Sequence, residues 1–294
     1  MTNKPSESTV YPAAMVNITN KCTLSCKHCF VFRDENPNNP KKEMDTETML
    51  GKLSDLQKQY QIITMLWMGG EPLLRPDVLR EGVKIFEKNT ITTNGTIDLI
   101  EFPGCIYVVS IDGPPDINDV VRGKGSFDKV MKTLSRVPEK FKSTVMCQCV
   151  VTKANEDRLE ELVDILRKTR AEGMTFSFYV PTRDDDSELT WKTLERRDKA
   201  VQETLRLKRK YPDFIWNKRR VLELTLSENA KAVTDNCPSK KYVFPLYLEG
   251  NEFVQPFCCY GNDVDCDLCG AWVVFHIAAL LEKTETENIF NAEL

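Results

Sequence analysis

The sequence predicts an α/β protein built on a parallel sheet, on three observations. Six short apolar runs alternate with amphipathic helical patterns over residues 14–180. The runs are apolar almost throughout, which argues that both faces of each strand are covered. After Pro181 the alternation stops and cysteines accumulate instead. Six strand–helix units are too few for a closed eight-stranded barrel and enough for an open one. The expected fold is therefore a partial (β/α)6 TIM barrel followed by a small C-terminal cysteine-rich domain.

The strands are expected at 14–18, 62–68, 90–93, 106–112, 143–151 and 174–180. Between them, 45–60 places Met49, Leu53, Leu56 and Tyr60 on one helical face. A helix over 76–87 starts with a proline suited to a first turn, and one over 126–136 starts with a serine cap. The segment 156–170 carries Leu159, Leu162, Val163 and Leu166 at helical spacing. Beyond Pro181, 187–211 reads as a long charged helix and 221–233 as another. A hairpin follows, 242–248 with 253–257 around Gly250-Asn251, then an apolar helix over 271–281. These patterns divide the chain into a core at 12–182, a helical linker at 183–236 and a cysteine-rich unit at 237–294.

Composition narrows the function classes. The chain has 294 residues, 41% hydrophobic and 29% charged, with a net charge of −4. No chain-wide basic field favours nucleic acid or an anionic membrane, and the basic triplets at 208–210 and 218–220 read as solvated helix faces. Residues 1–11 are polar, without a signal-peptide core, and no apolar stretch reaches membrane-span length. Eleven cysteines without a secretion signal point to a reducing, cytoplasmic setting where thiols serve metals or catalysis. Three lie near the start, three in the middle (Cys105, Cys147, Cys149) and five from residue 237 onward. Two thiol clusters suggest two metal sites.

Residues 20–30 read Asn-Lys-Cys-Thr-Leu-Ser-Cys-Lys-His-Cys-Phe, directly after the first strand. Three thiolates this close can meet at one metal centre and leave one coordination position without a protein ligand, as an iron–sulfur cluster with an open iron requires. Zinc, or reduced core thiols, is the alternative; a zinc knuckle needs a fourth local ligand, and His28 inside the loop is the nearby candidate. The spacing of Cys22, Cys26 and Cys29, with His28 before the last, resembles the cluster loop of the radical SAM enzymes. That resemblance implies a 4Fe–4S cluster whose open iron chelates S-adenosylmethionine.

Other motifs extend the likeness at strand ends, where such sheets carry their chemistry. Met68-Gly69-Gly70-Glu71-Pro72 resembles the family's Gly-Gly-Glu-Pro segment, which implies that Gly69, Gly70 and Glu71 bind the amino group of the methionyl moiety; the glycines let backbone approach a ligand. Asn94, in Thr92-Thr93-Asn94-Gly95, could meet a ribose or carboxylate, or simply form a turn. Ser110 and Asp112 share one strand face and resemble a Ser-hydrophobic-Asp-Gly element, implying a cofactor contact for Ser110 and a substrate-side, catalytic place for Asp112. Arg122 is the candidate for the cofactor carboxylate, because a guanidinium fork matches it. Tyr179 is a candidate wall for the adenine. Cys147 and Cys149 read as buried packing thiols, and His276 as a packing residue.

The later thiols are Cys237, Cys258, Cys259, Cys266 and Cys269. Cys266 and Cys269 can chelate from a single turn. Cys237 plus one of Cys258 or Cys259, which point opposite ways on extended backbone, completes four ligands. The resemblance is to shortened Twitch or truncated SPASM domains and implies a second, auxiliary 4Fe–4S cluster; zinc fits the same ligands. Taken together, the family implies reductive cleavage of S-adenosylmethionine to a 5′-deoxyadenosyl radical, a flavodoxin or ferredoxin-type electron donor, and hydrogen abstraction from (or addition to) a substrate. A small molecule is expected. A peptide-modifying maturase and a non-enzymatic metal-binding protein are the competing readings. The stretch before residue 12 holds no domain for gripping a leader peptide, which tilts the expectation from the maturase.

Overall fold

A computed structural model describes residues 10–29, 31, 43–255 and 264–284. Its strands are β1 (Ala13–Asn17), β2 (Thr64–Met68), β3 (Lys88–Thr93), β4 (Ile106–Ser110), β5 (Thr144–Val151), β6 (Gly173–Phe178), β7 (Val243–Glu249) and β8 (Glu252–Val254). They form one sheet in the order β6-β5-β4-β3-β2-β1-β7-β8. Every neighbouring pair from β6 to β7 is parallel; only β8 runs antiparallel, on β7. The six expected strands are present, each end within two residues of its expected place. The fold is α/β on a parallel sheet, open between its edge strands β6 and β8.

The helices are α1 (Thr46–Tyr60), α2 (Pro76–Gly82), α3 (Pro115–Arg122), α4 (Ser126–Ser135), α5 (Leu159–Leu166), α6 (Leu194–Lys210), α7 (Arg219–Leu224), α8 (Ser227–Asp235), α9 (Ser239–Tyr242) and α10 (Trp272–Thr284). Asp45 caps α1 by accepting from Thr48 N, and the left-handed Gln61 ends it. Helix α2 is shorter than expected. At its last residue, Gly82, a Cβ would lie 2.4 Å from the Trp67 ring, so helix and sheet meet there in contact. The helix expected over 221–233 is two, because Leu226 between them is extended. Helix α3 was not foreseen.

One face of the sheet carries Ala14, Val16, Met65, Trp67, Ile91, Tyr107, Val109, Cys147, Cys149, Phe176 and Phe244, buried in the main core with side chains of α1, α2, α4 and α5. Cys147 and Cys149 are fully buried there, and burial pushes the Cys147 thiol up to about 12, so both are packing thiols. The opposite face, with Met15, Leu66, Met68, Thr90, Thr92, Val108, Ser110, Gln148 and Val150, lines a cavity. The residues expected to begin a separate C-terminal unit rejoin this sheet. Strand β7 pairs with β1, and Ile277, Val273 and Leu281 of α10 pack with Ala13, Val243, Met15 and Leu66. The boundary expected at residue 237 is thus bridged by backbone pairing and apolar contact.

Candidate active site

The loop after β1 is tied to the strand ends by its backbone. Ile18 N donates to Met68 O, Gly70 N to Thr19 O at 2.7 Å, Glu71 N to Lys21 O at 2.8 Å, and Lys27 N to Val121 O at 2.9 Å. Glycine is required at 69 and 70 by this approach. A Cβ on Gly70 would lie 2.1 Å from Lys21 O, and one on Gly69 would lie 2.8 Å from Thr19 O. The double glycine therefore seats the cysteine loop as well as lining the cavity.

Cys22, Cys26 and Cys29 are half-buried, unpaired in any disulfide, and all line the cavity. Burial raises the Cys22 thiol and pushes Cys26 up to about 12 even with Arg122 nearby, so a positive centre is needed to hold them as thiolates. Among the described residues, no three His, Cys, Asp or Glu side chains converge closely enough for a single metal ion. Three thiols on one cavity supply three ligands and leave one position without a protein ligand, a donor set that fits a 4Fe–4S cluster.

Glu71 is not where a ligand would meet it. Its carboxylate is fully buried and accepts from Leu73 N at 3.0 Å, Thr93 Oγ1 at 2.8 Å and Asn94 N at 2.8 Å. Burial outweighs these three donors and raises its pKa to about 7. The expectation of a Glu71 carboxylate against an ammonium group is thus corrected: the side chain clamps the β2 and β3 ends together, and only Gly69 and Gly70 of that turn line the cavity.

Asp112 is also turned inward, away from the substrate side expected of it. It lies beyond the end of β4 and is fully buried. Its Oδ2 meets His28 Nε2 at 2.6 Å and Arg122 Nε at 2.5 Å, while Oδ1 accepts from Val150 N at 2.8 Å. Its own N–H donates to Asn118 Oδ1, and its carbonyl accepts from Asn155 Nδ2. Burial alone would raise this carboxyl; Arg122 and His28 outweigh burial and hold it well below the usual carboxylate range. Asp112 is therefore the hub that joins the cysteine loop, α3 and the end of β5.

The remaining candidates do reach the cavity. Arg122, Ser110, Asn94, His28 and Tyr179 line it, with a volume of about 1510 Å³. Arg122 spends its Nε on Asp112, and the Tyr179 hydroxyl donates to Asp185 Oδ2 at 2.7 Å. Ser110 faces the cavity at the end of β4, as strand alternation predicts. Thr93, in the segment quoted with Asn94, bonds instead to Glu71, and Thr23 and Thr96, which the sequence did not single out, bond to Asn94.

The later cysteines are less assembled. Cys237 is half-buried and Cys269 buried; both line the cavity and share an apolar cluster with α10. Cys266 is exposed on a 3-10 turn, Cys266–Leu268. The buried Arg197 anchors this turn by donating to Leu268 O and Cys269 O. Cys258 and Cys259 lie outside the described residues. His276 is buried and stacks on Trp272 with ring centroids 4.3 Å apart.

The family model for the radical SAM superfamily matches residues 16–201, and the chain belongs to that superfamily. Its members bind a 4Fe–4S cluster and S-adenosylmethionine. Among curated relatives, pre-heme d1 synthase of Dinoroseobacter shibae is 29% identical over 173 residues, 54% of this chain and 41% of the relative. Mycofactocin maturase MftC of Mycolicibacterium smegmatis is 29% identical over 157 residues, 49% of this chain and 38% of the relative. Molybdenum cofactor biosynthesis protein 1 of Mus musculus is 30% identical over 162 residues, 50% of this chain and 25% of the relative. The matches thus span less than half the length of each relative. In fold, the chain resembles SuiB of Streptococcus suis bound to S-adenosylmethionine (TM-score 0.62, 17% identity, 81% of this chain and 59% of that one). It also resembles anSMEcpe with bound AdoMet (TM-score 0.58, 18% identity, 74% and 67%). No helix among the described residues is long and apolar enough to cross a membrane.

Proposed function

We propose that this chain is a radical SAM enzyme that acts on a small-molecule substrate. The observation that supports it most is the placing of Cys22, Cys26 and Cys29 at one cavity with Gly69, Gly70, Asn94, Ser110 and Arg122. The three cysteines would hold a 4Fe–4S cluster, and the glycine backbone, Ser110 and Arg122 the S-adenosylmethionine. Bound there, the cluster and S-adenosylmethionine would supply the one-electron cleavage of the sulfonium that yields methionine and a 5′-deoxyadenosyl radical for hydrogen abstraction from a substrate.

The chain's own residues bind and enclose. Arg122, steered by Asp112 through Nε, presents the rest of its guanidinium fork to the cofactor carboxylate. His28, held by the same carboxylate, fixes the segment between Cys26 and Cys29. The apolar wall formed by Met15, Leu66, Val108, Val150 and Trp272 keeps water from a carbon radical. Cys237, Cys266, Cys269 and one of Cys258 or Cys259 would hold an auxiliary 4Fe–4S cluster, and a flavodoxin or ferredoxin-type protein would deliver the electron. A peptide substrate is the second reading, favoured by the breadth of the cavity and by a relative whose name is mycofactocin maturase.

Anaerobically reconstituted protein with dithionite should release 5′-deoxyadenosine and methionine from S-adenosylmethionine. No release above a protein-free control would overturn the proposal. Substrate-dependent stimulation, screened separately with metabolites and with peptides, decides between the two substrate classes.

A further inference from the structure

Thr23, Asn94 and Thr96 close a ring of hydrogen bonds whose direction is determined. The backbone N–H of Thr96 lies 3.0 Å from one end of the Asn94 amide. A backbone N–H can only donate, so that end is Oδ1 and the other is the NH2 group. Oδ1 also accepts from Thr96 Oγ1 at 2.7 Å, which uses that hydroxyl's one hydrogen. In the 2.6 Å contact between the Thr23 and Thr96 hydroxyls, Thr23 is therefore the donor. Thr23 Oγ1 in turn accepts from Asn94 Nδ2 at 2.9 Å. One amide hydrogen remains, and Nδ2 lies 3.5 Å from Cys22 Sγ. Asn94 is 8% exposed, and its backbone N–H is pinned to the buried Glu71. Among the described residues, neither Cys26 nor Cys29 receives a side-chain amide donor.

We propose that Asn94, oriented by Thr23 and Thr96, donates an N–H···S hydrogen bond to the Cys22 thiolate and raises the reduction potential of the cluster held by this loop. The inference rests on the reading of that loop as a cluster site. A donor aimed at a ligating sulfur withdraws charge, and it stabilises the more negative reduced state more than the oxidised one. Hydrogen bonding in a ring, each member donating and accepting once, keeps the amide from turning its oxygen to the sulfur. Asn94 is thus a positioning and tuning residue rather than a contact for ribose.

The test is an EPR-monitored redox titration of the anaerobically reconstituted full chain. Asn94→Asp keeps the size of the side chain and exchanges the donor for an acceptor. It should retain iron at the first site, yet lower the ratio of reduced to oxidised cluster at a fixed potential about tenfold, equal to 59 mV for one electron. Thr96→Val releases the amide without touching the sulfur and should shift the ratio the same way, about threefold. If Asn94→Asp takes up no iron, Asn94→Ala carries the same expectation of a lower potential. Unchanged potentials in variants that hold the cluster overturn the inference while leaving the loop as a cluster site. Wild-type protein that assembles no four-iron cluster overturns the proposed function, and this inference with it.

Discussion

The chain has two sets of cysteines that look alike in sequence and differ in how the fold treats them. Cys22, Cys26 and Cys29 sit on one loop, seated by backbone bonds from β2 and α3, and all three open onto one cavity. Of the later set, Cys237 and Cys269 face that cavity from different segments, while Cys266 is exposed on its turn. A site made within one loop needs little tertiary structure beyond a rigid seat. A site made from distant segments needs each of them placed, and the ordering cost is met only when the metal binds. The first set shares one loop and one cavity, whereas a site built from the second would draw its ligands from separate segments.

The contrast can be broken most sharply at the first set. Replacing Cys22, Cys26 and Cys29 together by alanine should remove all S-adenosylmethionine cleavage while circular dichroism stays native-like, because these half-buried thiols support little of the core. Cleavage surviving in the triple variant would show that the chemistry lies elsewhere. At the second set, Cys266→Ala/Cys269→Ala should lower iron from about eight atoms to about four per chain, as two four-iron clusters require. Zinc in the anaerobically purified protein, with iron already near four, would instead make this a structural knuckle.

Smaller effects probe the seat. Asp112→Asn leaves Arg122 and His28 without their shared anion, and breaking such a buried pair should cost about 3–5 kcal/mol in denaturant unfolding. It should also weaken S-adenosylmethionine binding; unchanged affinity would mean that Arg122 does not depend on Asp112. Gly70→Ala forces a Cβ against the Lys21 carbonyl and should cost about 1–3 kcal/mol, with slower iron uptake at the first site only. Glu71 gives a pH signature. Its folded pKa near 7 lies above the ordinary 4.5, so the folded chain binds the extra proton between those values. Stability should therefore fall as pH rises through that window, by up to about 3 kcal/mol, and level off above it. Glu71→Gln should remove this slope; a slope that persists would assign it to another group.

Much of the fold was legible because parallel strands covered on both faces leave unbroken apolar runs, and all six were found. Helix α3 is not among the elements expected from the sequence, although the proline at its first position is compatible with a helix. The role of β7 was missed because pairing with β1 joins residues more than two hundred positions apart, which no local pattern records. Within the site, the cysteine loop and the glycine pair were visible as spacing and composition. The inward turn of Glu71 and Asp112 was not, since a carboxylate at a strand end reads the same whether it meets a ligand or three buried donors. The ring of Thr23, Asn94 and Thr96 likewise closes across a separation of about seventy residues.

Cys22, Cys26 and Cys29 would hold a cluster with one iron open to S-adenosylmethionine. The most direct measurement is the EPR spectrum of the reduced, reconstituted Cys266→Ala/Cys269→Ala protein, in which the first site alone contributes, recorded with and without S-adenosylmethionine. A four-iron signal whose g-values shift on adding the cofactor is the predicted result. A signal indifferent to S-adenosylmethionine, or one that persists when Cys22, Cys26 and Cys29 are also replaced by alanine, would contradict it.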